Sequence, residues 1–537
     1  MRRRSLTSLI LGLALLPLLL AGPPDRADAQ QPRRGGTLVM LVQPEPPTLA
    51  SYLSTSGPIG QVTAKVYDGL LEYDFNLNPQ PSLAESWQLS PDNKTITFKL
   101  RRGVRFHDGK PFTSADVKFS VMEVLKKVHP RGPNTFRALT DIETPDEATA
   151  VFKFDAPAPY VLRALSGYES PMLPKHLFEG ADPKSAPNAN KPVGTGPFKF
   201  VEWDKGQFIR LDRNEQYWKP GRPYLDRIVA RFIPDPSTRS AAMEKGEVHF
   251  ASFDAIPFVD VNRLKALPHI AVSLEGYSMI NPITLLEINS RRPPLDKREV
   301  RQAIAYALDR KFIIDNIWFG FGRPGTGPMN ANFAKTGLYT NEVRRYEVPD
   351  RVQRANALLD GAGLKRGADG MRFKITHDIL PYGEQWQRLG EYIKQALGQI
   401  GIDVTLRHED VPSWLKRIFT NYDFDLTSDF YYNLADPVLG VHRQYLTDQI
   451  RQGTVFVNST NYSNPKVDEL LKQATTEANH AKRAALYKEF QKIVVEDSPI
   501  VWLFDMQFVN MYNNRFQDVV TSPLGVYASF DRAWMKP

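Results

Sequence analysis

Histidines, carboxylates and glycine-rich turns are the residues of this chain that could do chemistry, and none of them forms a known catalytic motif. The sequence contains nine histidines and no cysteine, so it offers no thiol nucleophile, thiolate metal site or disulfide. It also lacks H-E-x-x-H, G-x-S-x-G and a P-loop. A carboxylate pair for hydrolysis would have to converge in space. We therefore predict a protein that is not an enzyme and needs no cofactor.

Two glycine-rich stretches match the residue pattern of nucleotide-binding loops but lack the structural context that such loops need. Gly194-Thr195-Gly196 has no Lys-Ser/Thr pair after it and no helix start, so we interpret it as a tight turn. The stretch 320–325 matches G-x-G-x-x-G, but it follows a predicted helix and Pro324 would break any helix that opens there. We interpret it as a surface loop.

The first 29 residues predict export. Arg2 to Arg4 form a positive n-region, Leu9 to Leu20 form an apolar h-region, and Ala27-Asp28-Ala29 offers a cleavage site. The apolar run is short for a membrane span, and the paired arginines leave both the general and the twin-arginine export routes open. Without cysteine no lipid anchor can follow, so we predict a soluble periplasmic protein.

Size and composition indicate a large globular protein with several domains. Removing the signal from 537 residues leaves 508, which is too many for one core. The net charge of +8, about +6 without the signal, is spread along the chain and argues against nucleic-acid binding. The aromatic content of 11% suits a protein that closes over an organic solute.

The stretch from Leu83 to Ser120 predicts a strand, a turn, a second short strand from Val104 to His107, another turn and a capped helix. Thr95 to Leu100 alternates like a half-buried strand, Asp108-Gly109 is a turn, and Thr113 or Ser114 can cap the helix. The sequence of this stretch resembles the signature of family 5 extracellular solute-binding proteins, the periplasmic receptors of peptide- and nickel-type ABC importers. It reads LAESWQLSPDNKTITFKLRRGVRFHDGKPFTSADVKFS. "GTGPF" from Gly194 and "VRQAIAYALD" from Val300 resemble that family too.

This resemblance implies an α/β, two-lobed periplasmic binding protein fold, type II and cluster C-like, with an extra subdomain in the first lobe. We expect the strand Ile283 to Asn289 to make the first connection between the lobes. The expected division is a signal peptide at 1–29, the first lobe at 30–74, 188–283 and 506–537, its extra subdomain at 75–187, and the second lobe at 284–505.

The second lobe contains a predicted βαβ unit, with strands from Phe373 and Ile402 and a helix from Gln385 to Ile400. Parallel sheets bind ligands at the carboxyl ends of their strands. That rule places Tyr382 and Trp386 near the cleft, although Trp386 fits core packing equally well.

The segment Tyr422 to Pro437, YDFDLTSDFYYNLADP, matches the place where peptide-binding relatives carry an aspartate for the ligand's amino group. Counting back from Asp436-Pro437, that position is Asn433, which has no negative charge. Either another carboxylate such as Asp429 substitutes, or the ligand has no free amino terminus. Tyr431 and Tyr432 are aromatic candidates, and they should point in opposite directions along a strand.

The remaining ligand-binding candidates come from other parts of the chain. Ser54, Thr55 and Ser56 follow the first strand, where relatives line the cleft, although helix capping explains them equally well. Trp502 and Asp436 complete the set. His377 and His442 are candidates for a metal chelate, because nickel-type relatives use histidines at the ligand site.

The resemblance implies a monomeric receptor that closes over its solute and delivers it to ABC permease subunits served by a separate ATPase. Peptides or oligopeptides are the expected ligands. A non-peptide solute, such as an opine, an oligosaccharide or a metal chelate, is the alternative. A periplasmic hydrolase on the same scaffold is a further alternative.

Overall fold

The computed structural model describes residues 31–186 and 188–537, and the expected signal peptide lies outside them. Two large mixed sheets form the centres of two lobes, and a smaller antiparallel sheet is attached to the first lobe. None of the described helices combines the length and apolar character needed to cross a membrane.

The sheet of the first lobe has seven strands. Thr37–Leu41 lies at its centre and runs parallel to both of its neighbours, while the other pairings are antiparallel. The order across the sheet is Ile270–Ser273, Val509–Asn513, Phe250–Phe253, Thr37–Leu41, Arg227–Arg231, Phe208–Arg213 and Phe198–Asp204. Its helices are Gly57–Thr63, Pro236–Glu244 and Phe258–Lys265.

The extra subdomain is a four-stranded antiparallel sheet in the order Ala84–Leu89, Thr95–Leu100, Thr149–Phe154 and Leu139–Asp146. The predicted strand Thr95–Leu100 and the predicted helix cap are confirmed. Thr113 and Asp116 form a capping box on helix Ser114–Lys118, with the Thr113 amide 2.9 Å from the Asp116 carboxylate. Short helices follow at Lys126–Val128, Gly132–Thr135 and Lys175–Phe178.

The sheet of the second lobe has six strands, ordered Gly322–Pro324, Ile500–Met506, Pro282–Ile288, Leu426–Tyr432, Phe373–Asp378 and Ile402–Arg407. Phe373–Asp378 and Ile402–Arg407 are parallel and joined by helix Glu384–Gln399, which confirms the predicted βαβ unit. The other α-helices are Arg298–Ala307, Arg310–Phe312, Arg351–Gly361, Val411–Leu415, Pro437–Gly440, His442–Tyr445, Pro465–Thr476 and His480–Asp497.

Short irregular elements complete the chain. Two-stranded sheets pair Leu71–Tyr73 with Pro79–Pro81 and Phe516–Gln517 with Trp534–Met535. The 3-10 helices are Pro159–Arg163, Pro183–Ser185, Ala331–Thr336, Thr447–Gln449 and Gly525–Tyr527, and the π-helices are Phe119–Leu125, Ile313–Ile317 and Lys416–Asn421.

The chain passes between the two large sheets twice. It leaves the first sheet after Ser273 and enters the second at Pro282, and it returns between Met506 and Val509. The expectation that Ile283 to Asn289 connects the lobes is wrong. That strand, Pro282–Ile288, lies inside the second sheet with both of its edges hydrogen-bonded, and it is buried along its whole length.

Candidate functional site: the cleft between the lobes

Aromatic rings from both lobes meet where the chain crosses between the sheets. The ring of Tyr432, at the end of strand Leu426–Tyr432, lies 6.3 Å from that of Phe508 in the return segment. Phe508 lies 4.4 Å from Phe253 of the first lobe and 5.3 Å from Tyr277 of the first crossing segment. The two lobes therefore share an apolar, aromatic contact surface, the kind of surface that organic ligands favour.

Two tyrosines extend this surface into the first lobe. Tyr527 lies 5.7 Å from Phe253 and stacks on Tyr168 at 4.1 Å. Both hydroxyls are buried and have no hydrogen-bond partner among the described residues. Gly60 allows this packing, because a Cβ there would lie 2.6 Å from the Tyr168 ring. Buried hydroxyls without partners are unusual in proteins and mark places where a ligand can bond.

Strand geometry decides which of the two predicted tyrosines reaches the cleft. Asp429 and Tyr431 are buried on one face of strand Leu426–Tyr432, and Phe430 and Tyr432 lie on the other face and are less buried. The predicted opposite orientation is confirmed. Tyr432 faces the first lobe, whereas Tyr431 lies in the core of the second lobe, with its hydroxyl 3.4 Å from the Val457 carbonyl.

Asn433 lies directly after this strand and is fully buried. Its side-chain oxygen accepts a hydrogen bond of 2.7 Å from the Asn330 amide, and its own amide donates to the carbonyl of Asn281 in the first crossing segment. The Asn433 side-chain nitrogen has no partner among the described residues. Asn433 therefore has an unused neutral hydrogen-bond donor and no negative charge.

Three residues at the same place have strained backbone conformations. Phe253, Asn281 and Leu434 all adopt positive φ angles, of 59°, 50° and 57°. Non-glycine residues rarely occupy this region, and such residues cluster at functional sites. A narrow crevice lies beside Leu434, bordered by Arg163, Tyr168 and Glu169 of the first lobe.

Comparison with known proteins places this architecture in a family. The model of bacterial extracellular solute-binding proteins, family 5 Middle, matches residues 78–452. This chain is a family 5 bacterial extracellular solute-binding protein. It is 27% identical over 500 residues to the oligopeptide-binding protein AppA of Bacillus subtilis, covering 89% of this chain and 88% of AppA.

Solved family 5 structures have the same fold. The binding protein DppA from Helicobacter pylori, in complex with peptide STSA, aligns with a TM-score of 0.81 and 26% identity over 94% of this chain and 99% of its own. The binding protein AgaA from A. tumefaciens R10, in complex with agropinic acid, aligns with a TM-score of 0.76 and 28% identity over 94% and 99%. The two-lobed α/β fold is therefore confirmed.

Asp436 makes several contacts within this family 5 protein, and its assignment to the ligand site stays a prediction. It is buried, forms a bidentate ion pair with Arg483, and lies 3.6 Å from Arg163. It also caps helix Pro437–Gly440 by accepting from the Val438 amide. Burial by itself would raise the pKa of Asp436, but Arg483 and Arg163 hold it below its usual range. Both of its carboxylate oxygens thus have hydrogen-bond partners within the protein.

Three predicted aromatic residues lie in different surroundings. Trp502 is buried in the second lobe and donates to the Tyr445 hydroxyl at 2.9 Å, and its assignment to the cleft stays a prediction. Trp386 is also a core residue, stacked on Phe430 at 5.8 Å. Tyr382 is 43% exposed and its ring lies 6.1 Å from that of Phe430, and its place at the cleft stays a prediction.

Ser54, Thr55 and Ser56 stay predictions. All three are half-buried, and Ser54 accepts a hydrogen bond from the Ser56 amide. Ser56 precedes helix Gly57–Thr63 without capping it through its side chain. A Cβ at the next residue, Gly57, would lie 3.2 Å from the Tyr527 hydroxyl, so the segment lies beside the aromatic surface.

The two candidate histidines are core residues. His377 is fully buried, and burial lowers its pKa to about 3. His442 is buried against the Tyr487 hydroxyl at 3.0 Å, and burial lowers its pKa to about 3 as well. Both stay neutral at physiological pH. No cluster of three or more metal-ligating side chains occurs within residues 31–186 and 188–537.

The sequence analysis did not identify several charged residues near the cleft. Arg131 and Glu169 form a buried ion pair in the first lobe, with a nitrogen–oxygen distance of 2.7 Å across 38 positions of sequence. Arg443 of the second lobe is close enough to this pair to change the pKa of Glu169. Only folding brings these residues together, so no local motif predicts them.

Proposed function

We propose that this protein is the peptide-binding receptor of an ABC importer, working in the periplasm after removal of its signal peptide. The aromatic surface between the lobes, with the unpartnered hydroxyls of Tyr168 and Tyr527, is the observation that carries this proposal. Aromatic faces hold peptide side chains of varied size, and free hydroxyls bond peptide groups. The peptide ligands named for AppA, DppA and many other relatives support the same conclusion.

The two crossing segments act as the hinge in this proposal. Residues 274–281 and 507–508 connect the lobes, and a few residues at the ends of strands suffice to absorb the rotation of a domain closure. A peptide that contacts Tyr432 on one side and Tyr527 on the other binds the closed form better than the open form. That difference in affinity shifts the population towards the closed form.

The closed receptor then docks on the membrane subunits of a permease, and a separate ATPase subunit supplies the energy. Ligand leaves the receptor unchanged, so we propose no catalytic step for this chain. We propose that it works as a monomer, because the two lobes of one chain already enclose the ligand.

Native mass spectrometry of protein expressed in a periplasm tests this function. The expected result is a set of masses above that of the protein, which on denaturation release a mixture of short peptides. Release of one non-peptide compound, or conversion of added peptides into products, would contradict the proposal. If the protein is isolated empty, a thermal-shift screen with pooled peptides replaces the first readout, because a ligand that binds only the folded state raises the melting temperature.

A further inference from the structure

We propose that Lys65 is a positioning residue for ligand binding, because its side-chain nitrogen holds the short segment that places Tyr527 at the aromatic surface between the lobes. This inference rests on the proposed peptide-receptor function and adds a residue that acts on the ligand through another side chain. Lys65 itself is fully buried, so it lies too deep to touch a ligand.

Lys65 is a buried lysine without a carboxylate partner. None of its surface is exposed, and no carboxylate in the described part of the chain lies within ion-pair distance of its side-chain nitrogen. Burial lowers its pKa well below the ordinary value, and no neighbouring charge opposes that effect. A lysine in such a place destabilises the fold unless polar contacts compensate it, so its contacts need an explanation.

Two contacts hold the side-chain nitrogen of Lys65. It donates to the Val526 carbonyl, 461 positions further along the chain, and it lies 4.1 Å from the centre of the Phe530 ring. A carbonyl oxygen and the face of an aromatic ring both attract an amino group. Phe530 in turn packs edge-on against Phe250 in the first sheet, at 5.3 Å. Lys65 thus connects the end of the chain to the body of the first lobe.

The glycine turn at 194–196 fixes the backbone of Lys65. The Lys65 carbonyl accepts a hydrogen bond of 3.1 Å from the Phe198 amide, and the Val66 carbonyl accepts one of 2.9 Å from the Gly196 amide. A Cβ at Gly196 would lie 2.7 Å from the Lys65 carbonyl oxygen, so only glycine permits this approach. The turn therefore gives the lysine a rigid base from which to reach Val526.

The Val526 carbonyl belongs to the 3-10 helix Gly525–Tyr527, called here the short helix. Tyr527 is the next residue, so a bond to this carbonyl also restrains the backbone that carries the tyrosine. Tyr527 stacks on Tyr168 at 4.1 Å, and its buried hydroxyl has no partner among the described residues. Lys65 thus acts directly behind a side chain that the proposed function assigns to the ligand.

The short helix also packs on the first crossing segment. A Cβ at Gly525 would lie 2.7 Å from the Gly276 carbonyl oxygen, and Gly525 has a φ of 54°. A single turn of 3-10 helix has little stability of its own and depends on outside contacts such as these. Without the Lys65 bond, we expect Tyr527 to lose its fixed position beside the cleft.

Hydrogen–deuterium exchange of the ligand-free protein tests whether Lys65 holds the short helix. The amides of Tyr527 and Ala528 bond within this segment. Lys65→Met keeps the length of the side chain and removes its donor, so both amides should exchange about 3- to 10-fold faster, the effect of losing one hydrogen bond. Exchange along strand Thr95–Leu100 should stay unchanged. Unchanged exchange at Tyr527 and Ala528 would overturn the inference.

A double-mutant cycle tests whether Lys65 acts on the ligand through Tyr527. Affinity is measured by calorimetric titration with a pool of unmodified tetrapeptides. Lys65→Met alone should weaken binding about 3- to 10-fold. In the Tyr527→Ala background the same substitution should have no further effect, because the residue that it positions is already gone. A purely structural loss would weaken both backgrounds equally, and that result would contradict the inference.

Lys126→Met is the matched control. The side-chain nitrogen of Lys126 also donates to a backbone carbonyl, that of Leu139, at a place away from the short helix. Lys126→Met should therefore leave tetrapeptide affinity and the exchange of the Tyr527 amide unchanged. Equal effects of Lys126→Met and Lys65→Met on affinity would show that the loss of any such bond weakens binding, and would overturn the specific role of Lys65.

The exchange measurement needs no ligand, so this inference and the proposed function can fail separately. If the wild-type protein binds no tetrapeptide and carries a non-peptide compound, the peptide-receptor function fails, while exchange still decides whether Lys65 holds the short helix. If the pool binds but the cycle shows no coupling to Tyr527, the receptor function stands and the role of Lys65 fails. If Lys65→Met does not fold, Lys65→Gln, whose side chain is one bond shorter, replaces it in both measurements.

Discussion

Arg483 holds Asp436 in a bidentate ion pair inside the second lobe, with nitrogen–oxygen distances of 2.7 and 2.8 Å. The aspartate caps helix Pro437–Gly440, and the arginine comes from the long helix His480–Asp497. This pair ties the end of the ligand-facing strand to the body of the lobe. A residue that resembles a ligand contact in the sequence is thus part of the support for the cleft.

Asp436→Asn should destabilise the protein strongly. Breaking one side of a buried ion pair leaves the other charge without a partner, at a cost of about 3–5 kcal/mol. Chemical denaturation at neutral pH measures the loss. Glu384→Gln, which removes an exposed pair with Arg388, is the control and should cost less than about 1 kcal/mol. Equal effects of the two substitutions would contradict the buried role.

The same pair predicts a response to acid. The pKa of Asp436 is lowered in the folded state, so its contribution to stability is present above the unfolded pKa of about 3.9 and is lost as the pH falls through the folded value. Asp436→Asn should therefore show a smaller loss of stability below about pH 4 than the wild type. Parallel acid-denaturation curves would contradict this assignment.

The raised pKa of Glu287 predicts that stability falls, instead of rising, as the pH increases. Burial raises its pKa to about 8, so the folded state keeps a proton that the unfolded state releases. Stability should fall as the pH rises from the unfolded pKa of about 4.3 towards 8, by up to about 1.4 kcal/mol per pH unit. Glu287→Gln should flatten this slope in denaturation curves recorded across that range. An unchanged slope would show that Glu287 ionises normally.

Substitution of Tyr432 should mainly weaken ligand binding, and substitution of Trp502 should mainly lower stability. Tyr432→Ala removes an aromatic contact of the cleft and should weaken peptide binding about 3- to 10-fold, in line with about 0.5–1.5 kcal/mol for such a contact. Trp502→Ala empties a core site and should cost about 3–5 kcal/mol of unfolding free energy, with little change in affinity of the folded protein. Calorimetric titration and denaturation of both variants check the pattern, and a reversed pattern would contradict it.

Gly440 should tolerate no side chain. A Cβ there would lie 2.3 Å from the carbonyl carbon and oxygen of Asn433, which are backbone atoms that cannot move aside. Gly440→Ala should therefore lower the melting temperature and weaken ligand binding together, because Asn433 would shift. The control is Gly361→Ala, at an exposed helix position with open space, which should stabilise the protein by up to about 1 kcal/mol. Similar melting temperatures for both variants would rule out the close contact.

Local patterns predicted much of the fold because they depend on neighbouring residues. The alternation from Thr95 to Leu100, the cap at Thr113 and the βαβ unit from Phe373 all follow from side-chain period and turn chemistry. The assigned crossing strand was wrong because a buried, mostly apolar strand fits the centre of a sheet and a connection between lobes equally well.

The sequence by itself determined the family, through a long signature, and the type of most elements, through their periodicity. It also predicted that Tyr431 and Tyr432 point in opposite directions, since side chains alternate along any strand. Only the tertiary structure decided that Tyr432 faces the cleft, that Arg483 neutralises Asp436 across 47 positions, and that the Lys65 side chain reaches the Val526 carbonyl across 461 positions. Pairing between distant residues depends on how the elements pack, and local sequence does not contain that information.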